Sequence, residues 1–247
     1  MKTTNFTFLL LFVFVSLSLS AQNGPITEGY IEYEVRINLH KNLPKEREEM
    51  KNMMPEFQTF RTELYFNPTE SFYQIIEEDE DPDAPGGGRG MRFRMGGMIG
   101  KTYTNTSTEE KLTNQEFFNK NYLIVDTLKV LAWKFGDGSK TIMGYPCMVA
   151  TFLDTARKQT VNAWYTMGVR PFLGPDMYGS LPGAILEMEF VEMNTVVLAK
   201  VITPKTLKKN DIKKPTSGEK ISRAQFNQTV KEQIENMRKN GFNFQTR

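Results

Sequence analysis

The chain has one cysteine and one histidine in 247 residues. A single cysteine excludes an internal disulfide framework and any cysteine-rich zinc module. A single histidine, His40, excludes a multi-histidine metal centre, and no Ser-His-Asp arrangement is expected around it. The formal net charge is only +2, too little for a general nucleic-acid binder, so no nucleic-acid partner is expected. The glycines between Gly86 and Gly90 are not followed by Gly-Lys-Ser/Thr, so they are not a phosphate-cradling loop. Beyond the first 21 residues no apolar run is long enough to cross a bilayer. These absences remove many enzyme classes, and the chain is read as non-enzymatic.

Residues 1–21 supply the address. Lys2 precedes an apolar stretch from Phe6 to Leu19, closed by the small residues Ser20 and Ala21. This is the layout of a secretory signal peptide. Cleavage after Ala21, leaving Gln22 first, is preferred over cleavage after Ser20. No cysteine follows the apolar run, so a lipid anchor on a new N-terminal cysteine is not expected. The mature protein is expected in the periplasm or secreted.

The rest reads mostly as strands. From Gly29, the residues Ile31, Tyr33, Val35, Ile37 and Leu39 fall on one face and Glu32, Glu34 and Arg36 on the other. Period-two alternation of this kind marks a half-buried strand. Further strands are expected at 64–66 and 71–77, with Asn67-Pro68 turning between them, and at 101–105, 111–117, 122–126 and 132–135. Gly136-Asp137-Gly138 reads as a turn, and strands follow at 145–153, 160–166, 184–192 and 195–203. Lys41 to Phe60 reads as a short helix or a mobile connection. About ten strands with short links give the expected fold class. It is mainly β, a single curved antiparallel sheet or half-open β-barrel, with a C-terminal α-helix. The expected organisation is a signal peptide at 1–21, a β-rich domain at 22–203, and a basic linker with helix at 204–247.

Two segments differ in composition. Glu77 to Asp83 holds six acids in seven positions and runs into a Gly-, Arg- and Met-rich stretch ending at Gly100. The stretch 77–100 reads as a flexible hairpin insertion. Within it, Met91, Met95 and Met98 are candidate soft thioether ligands for Cu(I), and copper is the one cofactor considered. From Lys200 onward there are 12 cations and 4 acids. Ser222 and Gln225 there form a possible capping box, Phe226, Val230, Ile234 and Met237 recur at helical spacing, and Gly241 supplies a stop. The expected helix lies on the sheet by its apolar stripe. Its basic surroundings make peripheral contact with anionic lipid, or with an outer-membrane transporter or assembly machine, a further expectation.

A set of motifs lies between Ala132 and Ile185. They are Ala132-Trp133-Lys134-Phe135, Gly144-Tyr145-Pro146-Cys147, Ala163-Trp164-Tyr165, Gly174-Pro175, and Gly179-Ser180-Leu181-Pro182-Gly183-Ala184-Ile185. In order and spacing this resembles the GLPGLI family of secreted Bacteroidota proteins. Ser180 stands as an insertion between Gly179 and Leu181, and Ala184 replaces the first leucine of the closing Leu-Ile. The resemblance implies a β-rich envelope or secreted protein without an assigned activity.

Pro182 fixes its φ and Gly183 permits positive φ, so a type II turn is expected there. The loop is expected to close one end of the curved sheet. Trp164, Tyr165, Phe172, Tyr178 and Pro182 are the candidate lining of a hydrophobic mouth, taking an apolar small molecule or a protein partner. Cys147 is expected to be a buried thiol, His40 exposed and inert, and Glu187 and Glu189 to share the wet face of a strand.

Overall fold

The computed structural model describes residues 24–76, 100–155 and 157–239. The signal-like segment, nearly all of the 77–100 insertion and Gly241 lie outside the described residues. The alternation from Gly29 produces β1 (Gly29–Asn38), in which Ile31, Tyr33 and Val35 are buried and Arg36 is exposed. Hairpins continue it through β2 (Phe57–Phe66), β3 (Glu70–Ile75), β4 (Lys101–Asn105), β5 (Glu110–Phe117) and β6 (Lys120–Thr127). A second run comprises β7 (Lys134–Ile142), β8 (Tyr145–Asp154), β9 (Gln159–Thr166), β10 (Ala184–Phe190) and β11 (Thr195–Pro204). Pairing of β11 with β1 joins the runs into one sheet. At the far side β12 (Glu219–Ser222) adds to β6 in parallel; the other pairings between named strands are antiparallel, and an isolated bridge between Ile26 and Val169 is parallel. The twelve strands do not close: β12 and β7 are the two edges.

The expected strands are found, with three differences. First, β7 runs through Gly136-Asp137-Gly138 instead of turning there, with a bulge between Phe135 and Ser139. A Cβ on Gly138 would stand 3.0 Å from Val149 Cγ1 and 3.2 Å from Trp164 Cη2. The glycines make room for large neighbours on the adjoining strands rather than a turn. Second, Lys45–Met53 is a 3₁₀ segment with no buried residue, and β2 begins soon after it. Third, β12 was not foreseen, because four exposed or half-buried residues, Glu-Lys-Ile-Ser, carry no clear alternation.

Register defines the two faces of the sheet. Ile31, Leu64, Tyr73, Thr102, Thr113 and Ile124 stand opposite one another in turn across β1 to β6, so all six share one face. That inner face carries the main core and also receives α1 (Arg223–Lys239), whose Phe226 packs on Tyr122 and Ile124. The opposite face is buried too over β3 to β6. Phe72, Tyr103, Leu112 and Leu123 cluster there, with Ile212 of the segment following β11 laid against them. Lys214 pins this strap, pairing with Glu110 at 2.6 Å. The capping box forms as expected: the Gln225 amide donates to Ser222 Oγ (3.2 Å), and the Ser222 amide donates to Gln225 Oε1 (2.9 Å). Among the described residues no helix is long and apolar enough to cross a membrane.

The 17-residue segment between β9 and β10 lies on the inner face, with Val169, Leu173, Tyr178 and Leu181 buried in the main core. The expected type II turn at Pro182-Gly183 does not occur, since Gly183 lies outside the positive-φ region. Glycine is required there for space, because a Cβ would fall 1.9 Å from the Thr166 carbonyl oxygen. Gly183→Ala should therefore destabilise the protein by about 2–4 kcal/mol, since backbone must move. Gly24→Ala, with nothing within 4 Å, should be neutral. Thermal denaturation of the two variants checks this pair. Ser222→Ala should cost about 1 kcal/mol, read as faster amide exchange in the first turns of α1.

Candidate functional site

Loops longer than about 12–15 residues without secondary structure of their own are uncommon and usually functional. The segment 167–183 carries three non-glycine residues in the left-handed region: Phe172 (φ 64°), Asp176 (φ 52°) and Ser180 (φ 62°). Each conformation is costly for an L-residue and persists only where surroundings enforce it. Here the enforcing contacts are visible. The Trp133 indole NH donates to the Gly179 carbonyl (2.8 Å), the Leu131 amide to Ser180 Oγ (2.9 Å), and the Phe172 amide to the Leu181 carbonyl (3.1 Å). The buried Tyr33 hydroxyl donates to the Ile185 carbonyl where the loop enters β10 (2.8 Å). Arg170 reaches the Glu70 carbonyl on β3 (3.0 Å), and burial pulls its pKa down to about 10.

Between this loop and strands β2 to β6 a cavity of about 140 Å³ remains. Its floor consists of two cross-strand rows. In one, Ser71, Thr104, Lys111 and Asp126 stand opposite one another in turn on β3, β4, β5 and β6. In the adjacent row, Leu64, Tyr73 and Thr102 line the cavity. Phe172, Asp176, Met177 and Tyr178 wall it from the loop, Leu131 from the segment before β7, and Arg223 from the start of α1. One end is therefore polar and charged and the other apolar.

Lys111 is the unusual group. The residue is only 9% exposed. Desolvation pulls its amine down to about 8, opposed by the Asp176 charge and assisted by Arg223. The carboxylates nearby are already engaged. Asp176 accepts from the Thr102 hydroxyl at 3.2 Å. Asp126 accepts from the Thr127 amide at 2.9 Å, with Lys129 at 3.7 Å and Arg223 at 3.9 Å. Among the described residues, the Lys111 amine and the Ser71 and Thr104 hydroxyls form no hydrogen bond or ion pair, and each keeps some access to open space; the fully buried polar atoms without a partner are Thr62 Oγ1 and Arg170 Nε instead. Three polar side chains in one row thus face the cavity with hydrogen-bonding capacity to spare.

The sequence-derived candidates disperse. Phe172 and Tyr178 do line the cavity. Tyr165 is buried in the main core. Trp164 lies on the opposite face of β9, in the row of Glu187, with Lys140 Nζ 4.3 Å from its ring centroid and 2.6 Å from Glu187. Pro182 is exposed. Met91, Met95 and Met98 lie outside the described residues, and among the described residues no group of three His, Cys, Asp or Glu is placed to hold a metal. Cys147 is buried as expected, and burial raises its pKa. His40 is half-buried rather than exposed, its Nε2 3.0 Å from the Met54 carbonyl oxygen.

Ser71, Thr104, Lys111, Asp126 and Arg223 were not anticipated. The available signal was a Lys-x-Thr alternation in β5. It reads as an outward polar face unless one knows that the Leu112 side is covered by the strap.

No family model matches the chain, and no curated protein matches it. Among solved structures it resembles PNGF-II, seen in two crystal forms, with TM-scores of 0.54 and 0.55 and 13% identity in each. The match covers 84% of this chain but only 34% of PNGF-II. At that identity the likeness is one of fold, and this chain spans about a third of the PNGF-II length.

The Lys111 amine makes a stability prediction. Its folded pKa (about 8) lies below the ordinary 10.5, so below pH 8 both states are protonated and the whole burial cost acts, roughly 3 kcal/mol. Between pH 8 and 10.5 the folded state holds fewer protons and the cost is relieved. Lys111→Met should therefore be more stable than wild type at pH 7, with the difference shrinking towards zero by pH 10.5. Urea unfolding of both proteins across that range measures it.

Proposed function

We propose that the protein is a non-enzymatic, exported binding protein that takes a small ligand into the cavity between segment 167–183 and strands β2 to β6. The carrying observation is the pairing of a partly open cavity with the unbonded Lys111, Thr104 and Ser71 side chains on its floor. Buried polar groups are ordinarily bonded, so a row left open towards a hollow suits an occupant with acceptors of its own. The roof supports the same reading: its left-handed residues are held by named hydrogen bonds, which gives a pre-formed wall. The apolar wall of Leu64, Leu131, Phe172 and Met177 retains the expectation of an apolar ligand in part, now with a polar end. The signal-like residues 1–21 support export into the envelope or beyond.

The reading is tested with a fragment library and methyl NMR on the full mature chain. Binding should shift the methyl groups of Thr104, Leu131 and Met177 together while leaving those of Val149 and Leu153 on β8 in place. A library that moves none of the three cavity methyls overturns the proposal.

A further inference from the structure

We infer that the Ser71–Thr104–Lys111 row is a subsite for the carboxylate of a small organic monoanion whose short apolar part lies against Leu131, Phe172 and Met177. This deepens the ligand-binding reading above and rests on it.

Lys111 offers three N–H donors from a residue only 9% exposed, and Thr104 and Ser71 offer one hydroxyl each from neighbouring strands of the same row. Directly opposite residues on adjacent strands have Cβ atoms about 4.5–5.5 Å apart. A planar carboxylate placed over the row can thus accept from Lys111 with one oxygen and from the hydroxyl side with the other. An ionised acceptor also strengthens each bond.

The charge balance selects the ligand class. The charged groups facing Lys111 are Asp126 on β6, Asp176 on the loop, Arg223 on α1, and Arg157 in the β8–β9 connection. Asp126 is engaged by Arg223 and the Thr127 amide, and Asp176 by Thr102. Two cations, Lys111 and Arg223, thus share the region with two carboxylates, and of the four only Lys111 makes no hydrogen bond or ion pair. A monoanion can take the open Lys111 donors with the least added charge, whereas a phosphate dianion would meet about twice the repulsion from Asp126 and Asp176. The volume of about 140 Å³ favours a small molecule, and the apolar wall opposite the row favours a short hydrocarbon portion over a second charge.

The same geometry fixes the pH response. Lys111 must be protonated to hold the anion, and its amine titrates near 8 in the unliganded protein. Affinity should be constant below that value and fall about tenfold per pH unit above it, until the liganded amine also titrates.

Butyrate, butyramide and inorganic phosphate serve as probes, followed by methyl NMR and calorimetry in a buffer free of carboxylate and phosphate. Butyrate should shift the Thr104 and Met177 methyls and bind at least tenfold more tightly than butyramide. Lys111→Met should abolish that preference in a protein more stable than wild type, so loss of fold does not explain the result. Thr104→Val, which keeps the shape and removes the hydroxyl, should weaken butyrate about fivefold and leave butyramide unchanged. Equal binding of butyrate and butyramide in the cavity would overturn the carboxylate subsite and leave the ligand-binding reading standing. Phosphate binding in preference to butyrate would overturn the monoanion assignment. No shift with any probe, together with a silent fragment library, would overturn both readings.

Discussion

The architecture depends on sealing the inner face of an open sheet with irregular backbone. A loop buried against a sheet carries amide and carbonyl groups that have lost water, and each must find a partner. Segment 167–183 meets this demand with specific bonds. The Trp133 indole and the Leu131 amide bind the Gly179–Ser180 corner, and the buried Tyr33 hydroxyl binds the Ile185 carbonyl. Ile26 and Arg170 exchange backbone bonds with the loop and the N-terminal segment (Ile26 N to Gly168 O, Arg170 N to Ile26 O, both 2.9 Å). Because these partners come from β1, from the approach to β7 and from the segment before β1, the loop ties distant parts of the sheet together. Motifs spread along the sequence, such as Trp133 and Gly179, are in contact for this reason.

The sequence made much of this legible. Strands with apolar alternation, such as β1, β9 and β11, and the capped helix from Arg223 follow from local chemistry. The burial of Cys147 follows from its apolar neighbours. The Pro182-Gly183 corner differs from its expected turn in local reason: Gly183 is needed for close approach to Thr166, not for positive φ. The bulged passage of β7 through Gly136 and Gly138 was hidden because a glycine signals a turn and a close contact equally well. What it contacts, Trp164 and Val149, is set by pairing remote in sequence.

The cavity was illegible for a more general reason. Over β3 to β6 both faces are buried, one by the loop and α1, the other by the strap carrying Ile212. Binary alternation then no longer distinguishes inside from outside. Leu112 and Leu123 look like the core face of β5 and β6, yet they serve the strap, while Lys111, Thr113 and Asp126 face the interior. The row Ser71–Thr104–Lys111–Asp126 exists only through four-strand register, to which each strand contributes one unremarkable polar residue.

Folding alone does not account for that row. The main-core half of the inner face is filled by Ile31, Val161, Ala163, Leu173 and Ile185, all at most 1% exposed. The β3–β6 half offers an equally sheltered surface, and aliphatic residues there would remove the desolvation cost at Lys111 outright. Threonine and serine are ordinary on a strand, but a buried lysine whose neighbouring carboxylates are bonded elsewhere opposes the fold. Asp176 and Asp126 offset its charge only through space, without an ion pair or hydrogen bond to the amine. On the proposed binding function, an acceptor carried by a ligand at that end of the cavity would complete the row, and the cost in stability would have a physical reason, since local violations of folding rules gather where a protein recognises something.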